Sequence, residues 1–320
     1  MKKIYFPLIT LFATILLLLF VFYNRYSSDL KEQQVNELIS KNIDILYENL
    51  SYEKMYAQSL AVMLSKDSAI IDALKSSNQK EALNRLSEFL KELKDSTGVD
   101  YIDIQVHTKD LKAFARSWDN RDYFGEELSS FRKGLVKVKK QKRSIVSIEL
   151  GKRLNIKAIS PIFSDGKYIG SIEVISSFKG LKEHLKKFDL SILGLLDSKY
   201  LNIAIDLKNN PKIDKYIVVE KSFNKELFKL LQENPKIFKE KSFFYYLDNK
   251  IVALLPMKNV GIDDIGLIAL MMPNLKYNQN LPTRDYAREN REYHFNKSSR
   301  EVRIKWKYCY LKMTTSTTRV

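Results

Sequence analysis

Arg116 and Trp118 stand two positions apart in a run, Lys112 to Trp118, that reads as a β-strand, so together with Phe114 they project from one face of it. Arg132 opens a helical stretch beside Phe131. Glu149 and Lys157 fall on the two strand-like runs that follow, and Tyr168 opens the last one. Two arginines brought together can hold a carboxylate through paired, charge-assisted hydrogen bonds of roughly 1.5–3 kcal/mol each. Trp118 would cover an apolar or cationic part of the same ligand. Glu149 would accept an ammonium group or neutralise Arg116. A few fixed polar groups among apolar walls make a recognition site for a small organic ligand, a carboxylate or an amino acid. The competing reading is that the same charges are ion pairs holding helix to sheet.

Chemistry of bond making finds less support. There is no G-x-S-x-G or Walker loop, the one cysteine (Cys309) excludes an intrachain disulfide, and His107, His184 and His294 are too scattered for a zinc site. Glu149 and Glu173 can be read as paired carboxylates, but across strands such residues usually face solvent or a cation. His107 reads as a surface residue at a strand end. No enzyme activity, cofactor or metal is expected. The formal charge of +16 suggests nucleic acid at first sight, yet the lysines are spread along the chain and interleaved with Asp and Glu. That is a solvated surface, and no nucleic-acid partner is expected.

The elements that must position these side chains begin with an apolar run. Residues 4–23, IYFPLITLFATILLLLFVFY, are 20 residues without a charge, enough at ~1.5 Å per residue to span a hydrocarbon core of ~30 Å. Lys2 and Lys3 place the N-terminus in the cytoplasm, with Arg25 a weaker opposing signal. The run is too long for a signal peptide and is followed by a poor cleavage site, Tyr23-Asn24-Arg25-Tyr26. The expectation is a single-pass anchor in a bacterial inner membrane (1–26), with the rest of the chain outside the cytoplasm. Val35, Ile39, Ile43, Leu46, Leu50, Ala57, Leu60 and Leu64 then recur at helical spacing. They predict a rod of roughly 60 Å that serves as a homodimer stalk below and packs on the core above. A shorter helix with Leu83, Leu86, Leu90 and Leu93 stops near Gly98 and completes a helical region, 27–97.

Two strands follow, Tyr101–His107 and Lys112–Trp118, then a helix over 127–140. Strands come next over Ser144–Leu150, Leu154–Phe163 and Lys167–Ile175, the last two joined by a hairpin turn at Asp165-Gly166. A second series comprises a linking helix (Ser177–Phe188), a strand (Leu190–Leu196), a helix (Ser198–Lys208), a short strand (Tyr216–Val219) and a helix capped by Asn224. It closes with a hairpin about Asp248-Asn249 and a last strand, Ile265–Met272. The fold class is therefore α+β: a transmembrane helix, a long stalk helix and two PAS-like modules with antiparallel sheets. The larger (98–178) lies far from the membrane, the smaller (179–275) near it, and each sheet carries helices on one side.

The segments HTKDLKAFARSW (107–118), GEELSSFRKGLVKV (125–138), SIELGKRLNIKAISPIF (147–163) and YIGSIEVISSF (168–178), in this order, resemble the double Cache sensor domains. The subtype is the one described as a double sensory domain of two-component sensor kinases. Together the segments cover most of the first module; the second matches in general form. The resemblance implies the extracytoplasmic sensing region of a sensor kinase or chemoreceptor. It also implies a glycine-rich stretch and an arginine where this chain has Arg153–Lys157, with Lys157 standing for that arginine but lacking its planar two-pronged contact.

From residue 276 the pattern changes. Residues 1–283 hold 37 Lys and 7 Arg, residues 284–320 hold 4 Lys and 6 Arg, and the end reads TTSTTRV. A second apolar span and an output domain are expected here and are not read. The expectation is an atypical basic tail left by a frameshift or truncation. It keeps open a membrane-tethered scaffold acting through a partner, or a receptor fragment without function.

Overall fold

The fold is given by a computed structural model that describes residues 2–118, 123–240, 242–261 and 263–273, with four two-residue strands beyond. Anchor and stalk form one uninterrupted helix, α1 (Lys2–Leu64). Its apolar side chains from Leu11 to Tyr26 face outward, and it is long and apolar enough to cross a membrane. From Val35 onward one stripe is buried, at the positions predicted from helical spacing. Two shorter helices follow, α2 (Ser68–Ser76), which the sequence did not predict, and α3 (Gln79–Thr97). Asp67 caps α2 by accepting the Ile70 N–H at 3.1 Å, and Gly98 ends α3 in the left-handed region at φ 75°.

The first module is a five-stranded antiparallel sheet of β1 (Ile102–Thr108), β2 (Ala113–Arg116), β3 (Ile145–Leu150), β4 (Leu154–Ser164) and β5 (Lys167–Ser176), ordered β2-β1-β5-β4-β3. Ile104 and Val106 of β1, Ala158 of β4, and Ile172 and Val174 of β5 pack against Ala57, Leu60, Ala61 and Leu64 of α1 and against α2 and α3. The sequence predicted helices on one side only. The other face is covered as well, by α4 (Lys133–Gln141) and the segment before it, through Leu128, Leu135, Val138 and Ile159. Double coverage explains why the burial of β1, β4 and β5 does not alternate. The expected helix over 127–140 starts only at Lys133, because residues 126–128 are bonded along β2. Ala113 N–H donates to Glu126 O (3.0 Å) and Leu128 N–H to Leu111 O (3.2 Å).

α5 (Lys179–Lys186) leads to a six-stranded antiparallel sheet of β6 (Ser191–Asp197), β7 (Lys212–Ile213), β8 (Tyr216–Val218), β9 (Phe244–Leu247), β10 (Lys250–Lys258) and β11 (Asp264–Pro273), ordered β7-β8-β6-β11-β10-β9. One face packs on Val35–Leu50 of α1. The other packs on α6 (Lys225–Glu233), whose Leu227 N–H is capped by Asn224 Oδ1 at 2.9 Å. α1 meets this second sheet before the first, so the second module lies nearer the apolar segment. Both hairpins turn through paired positive φ, Asp165-Gly166 at 50° and 71° and Asp248-Asn249 at 42° and 61°.

The helix expected over Ser198–Lys208 is replaced by two single 3₁₀ turns, Ser198–Tyr200 and Ile205–Leu207. Tertiary contacts decide this: Ala204 and Leu207 are drawn into the core under α1, and the Asp206 N–H donates to Lys152 O (3.1 Å) of the first module. Of the expected basic tail, the described residues comprise only β12 (His294–Phe295) paired with β13 (Val302–Arg303), and β14 (Lys305–Trp306) paired with β15 (Cys309–Tyr310). The rest of that expectation lies outside the described residues.

Candidate functional site

The sheet of the first module has an apolar face under α1 to α3 and a polar one opposite. Gln105 and His107 on β1, Ser147 and Glu149 on β3, Asn155 and Lys157 on β4, and Ser171 and Glu173 on β5 are all buried. Register places them together: Gln105 opposes Arg116 and Glu173, His107 opposes Ser171, and Lys157 opposes Ser147. Arg132, at the N-terminus of α4, closes the layer from above.

Arg116 donates from Nη2 to Glu126 Oε2 at 2.7 Å and lies 4.7 Å above the Tyr123 ring; with the Gln105 amide turned so that its oxygen faces the guanidinium, Arg116 Nε also donates to that oxygen at 3.0 Å. Glu126, in the segment before α4, also binds Lys152 Nζ at 3.0 Å. Burial pulls the Glu126 carboxyl up, but Lys152 and Arg116 hold it below its ordinary value. Arg132 forms a buried ion pair with Glu173, and its Nε is without a partner among the described residues. Burial opposes the Glu173 charge, yet Arg132, Lys157 and His107 keep its pKa low.

His107 is fully buried, which corrects its reading as a surface residue. Its Nδ1 lies 3.1 Å from Ser171 Oγ and its Nε2 3.6 Å from Glu173 Oε2. Burial pushes its pKa down to about 3, so the ring is neutral.

Lys157 differs from both arginines. It is 3% exposed and, among the described residues, no carboxylate lies within salt-bridge distance of its ammonium. Burial, with the charge of Arg132 beside it, lowers its pKa to about 7. Gly151 makes room for it, since a Cβ there would lie 2.5 Å from Lys157 Nζ.

A cavity of about 50 Å³ opens among these groups. Arg116, Trp118, Arg132 and Lys157 line it, four of the six residues expected from sequence, together with Gln105, Phe131, Lys152, Arg153, Asn155 and Asp206. The Trp118 ring has two guanidinium groups near it, Arg116 at 5.8 Å and Arg153 at 5.4 Å from its centroid. Glu149 and Tyr168 are elsewhere. Glu149 accepts the Gly134 N–H at 2.6 Å in the first turn of α4, where the helix dipole favours an anion. The structure thus gives the neutralisation of Arg116 to Glu126. Tyr168 lies under Lys142 Nζ at 3.7 Å, edge-on to Phe163. Sequence reasoning missed Gln105, Glu126 and Asp206. Alternation along β1 carries a signal for Gln105, which lies two positions from His107 on the same face. Asp206, from the other module, carries none.

A second, larger space of about 930 Å³ lies between the modules, floored by Leu190, Ile192, Leu207 and Val219 and rimmed by Lys179, Lys182, Lys186 and Lys221.

Two antiparallel-sheet modules thus share one long helix, and the first encloses a charged cavity. The chain belongs to the family described as the double sensory domain of two-component sensor kinase, whose profile matches residues 32–271. Among solved structures, the Vibrio cholerae histidine kinase DctB sensor domain is 12% identical, with 76% of this chain and 99% of that one covered at a TM-score of 0.46. The ligand-binding domain of the Campylobacter jejuni chemoreceptor Tlp3, in complex with L-norvaline, is 17% identical over 75% of this chain and 91% of that one, at a TM-score of 0.40. The Escherichia coli DcuS sensor domain is 11% identical over 43% and 98%, at 0.35. No protein of curated function matches the chain.

Proposed function

We propose that this chain senses a small organic anion, a carboxylate or an amino acid, outside the cytoplasm and serves a transmembrane signalling receptor rather than a catalyst. One observation carries the reading: among the described residues the buried Lys157 has no carboxylate within salt-bridge distance and Arg132 Nε no hydrogen-bond partner, and both residues line one cavity. A buried cation is costly unless an anion meets it, and a ligand carboxylate would supply one. The family's printed role as a sensory domain points the same way. The apolar start of α1 anchors the chain in the inner membrane, with the Lys2 and Lys3 end inside. Two copies pair through the exposed side of α1. The ligand acts by preferring one of two arrangements of the distal sheet against α1, and a shift of roughly 1–2 Å along that helix would cross the bilayer.

The test is calorimetry on the full chain in nanodiscs, titrated with amino acids and short organic acids. At least one should bind, and Lys157→Met should weaken it at least tenfold at pH 6.5, through loss of one charge-assisted contact. A panel with no binder, or a Met variant that binds as tightly as the parent, overturns the reading.

A further inference from the structure

Among the described residues, Glu53 is the one carboxylate buried on α1, at 3% exposure. It falls where the helix passes from one core to the other. Leu46 and Leu50 pack in the core shared with the second sheet, Ala57 and Leu60 in the core under the first. Its one cationic partner within salt-bridge distance is a histidine: His184 Nδ1, on α5, lies 3.5 Å from Glu53 Oε1. Glu53 Oε2 has no hydrogen-bond partner among the described residues. α5 links the two modules and is tied to each by a lysine. Lys179 Nζ meets Asp100 Oδ1 of the first at 2.6 Å, and Lys182 Nζ meets Glu220 Oε2 of the second at 2.8 Å. Gly180 lets α5 sit close to the first module, since a Cβ there would lie 2.5 Å from the Tyr101 ring. Lysine ordinarily holds its charge to about pH 10, whereas histidine ordinarily changes charge between about pH 5 and 8. The tie from α5 to α1 therefore differs in kind from its ties to the modules.

We propose that Glu53 and His184 form a pH-sensitive latch between α1 and the linking helix α5, closed in acid and released as the pH rises past neutrality. With the His184 ring protonated, the buried carboxylate has a counter-charge. With the ring neutral, Glu53 is a buried anion without a cation, and letting α5 part from α1 relieves it. The surrounding groups set the balance. Burial raises the Glu53 carboxyl, His184 and the Ser176 hydroxyl at the end of β5 lower it, and Glu183 on α5 raises it, for a net rise. Tyr101, ahead of β1, is pushed up to about 12 by burial and then by Glu53, Tyr56, Glu183 and Asp100, so its hydroxyl stays neutral. A carboxyl raised by folding supports the fold below its unfolded pKa and withdraws that support as the pH climbs through the folded one, the sign that a latch closed in acid requires. Burial also raises Glu220, against Lys182, so α5 carries a second titrating contact that a test must hold constant. No ligand takes part in the latch, which stands whether or not the distal cavity senses an anion.

A double-mutant cycle tests this, with Glu53→Gln, His184→Gln and both together in the full chain in nanodiscs, read as thermal midpoints near pH 5.5 and near pH 8. Glu220 is the same in all four chains and cancels. The coupling between the two positions should be about 2–4 °C in acid and under about 1 °C at the higher pH. His184→Lys, charged at both, should bring the coupling at the higher pH back to the acid value. The parent alone gives a second readout should a variant fail to fold. Hydrogen exchange of the α5 amides, corrected for the intrinsic rate, should show protection about tenfold lower near pH 8 than near pH 5.5. A coupling equal at the two pH values, as a merely structural contact would give, overturns the latch. So does a coupling absent at both, or an α5 protection that does not change with pH.

Discussion

Lys157 is the residue at which burial and charge conflict most sharply. Its pKa of about 7 against an ordinary 10.5 makes the unfolded chain the better proton acceptor between those values. Below about pH 7 both forms carry the proton and the full cost of burying it stands. Above it the folded form sheds the proton first, so this residue makes stability rise with pH, by up to about 1.4 kcal/mol per unit. Lys157→Met should remove that slope. Urea unfolding of both chains at pH 7 and pH 9 would show the parent gaining stability over the variant; parallel changes would refute the assignment. That Arg116, Trp118, Arg132 and Lys157 would come together around one cavity was legible because strand alternation and helix starts are local properties. The burial of His107 was not, because it depends on α4 and residues 123–132 roofing a face that a lone sheet would leave in water.

Among the elements, α1 holds the molecule together. Leu46 is fully buried in the core that α1 shares with the second sheet and with Ile148, Leu150 and Leu154 of the first. Leu46→Ala should cost about 2–5 kcal/mol, seen as a lowered thermal midpoint, because the long helix cannot collapse onto the void at one point. A shift corresponding to under about 1 kcal/mol would mean that the helix is only loosely packed there. The positions of this stripe were readable from 3.6-residue spacing alone. The helix expected at Ser198–Lys208 was not, since its pattern is helical but the Asp206 N–H goes to another module and Ala204 and Leu207 to the core.

On the scale of the whole molecule, the opposite side of α1 exposes Tyr52, Met55, Val62 and Met63. Steps of three and seven place Tyr52, Met55 and Val62 on one seam suited to a second copy of the helix. Met55→Cys, in a chain whose Cys309 is replaced by Ser, should give a disulfide-linked dimer on oxidation in membranes. A cysteine at exposed Glu92 of α3 should not. Equal linkage at both positions, or none at Met55, would place the pairing surface elsewhere.

The sequence by itself determined the apolar segment, the register of the buried stripe on α1, the order of the strands along the chain and the turn residues at both hairpins. Each of these is set by neighbours within a few positions, through periodicity, capping or positive φ. Only the tertiary structure decided which strands adjoin, that both faces of the distal sheet are covered, that Glu126 and Glu173 take the two arginines while Lys157 has no carboxylate of the described residues within salt-bridge distance, and that Asp206 arrives from the other module. These are meetings of residues tens of positions apart. Their free energy comes from desolvating charges against one another, a quantity that exists only once the sheet, the roof and the second module enclose the same volume.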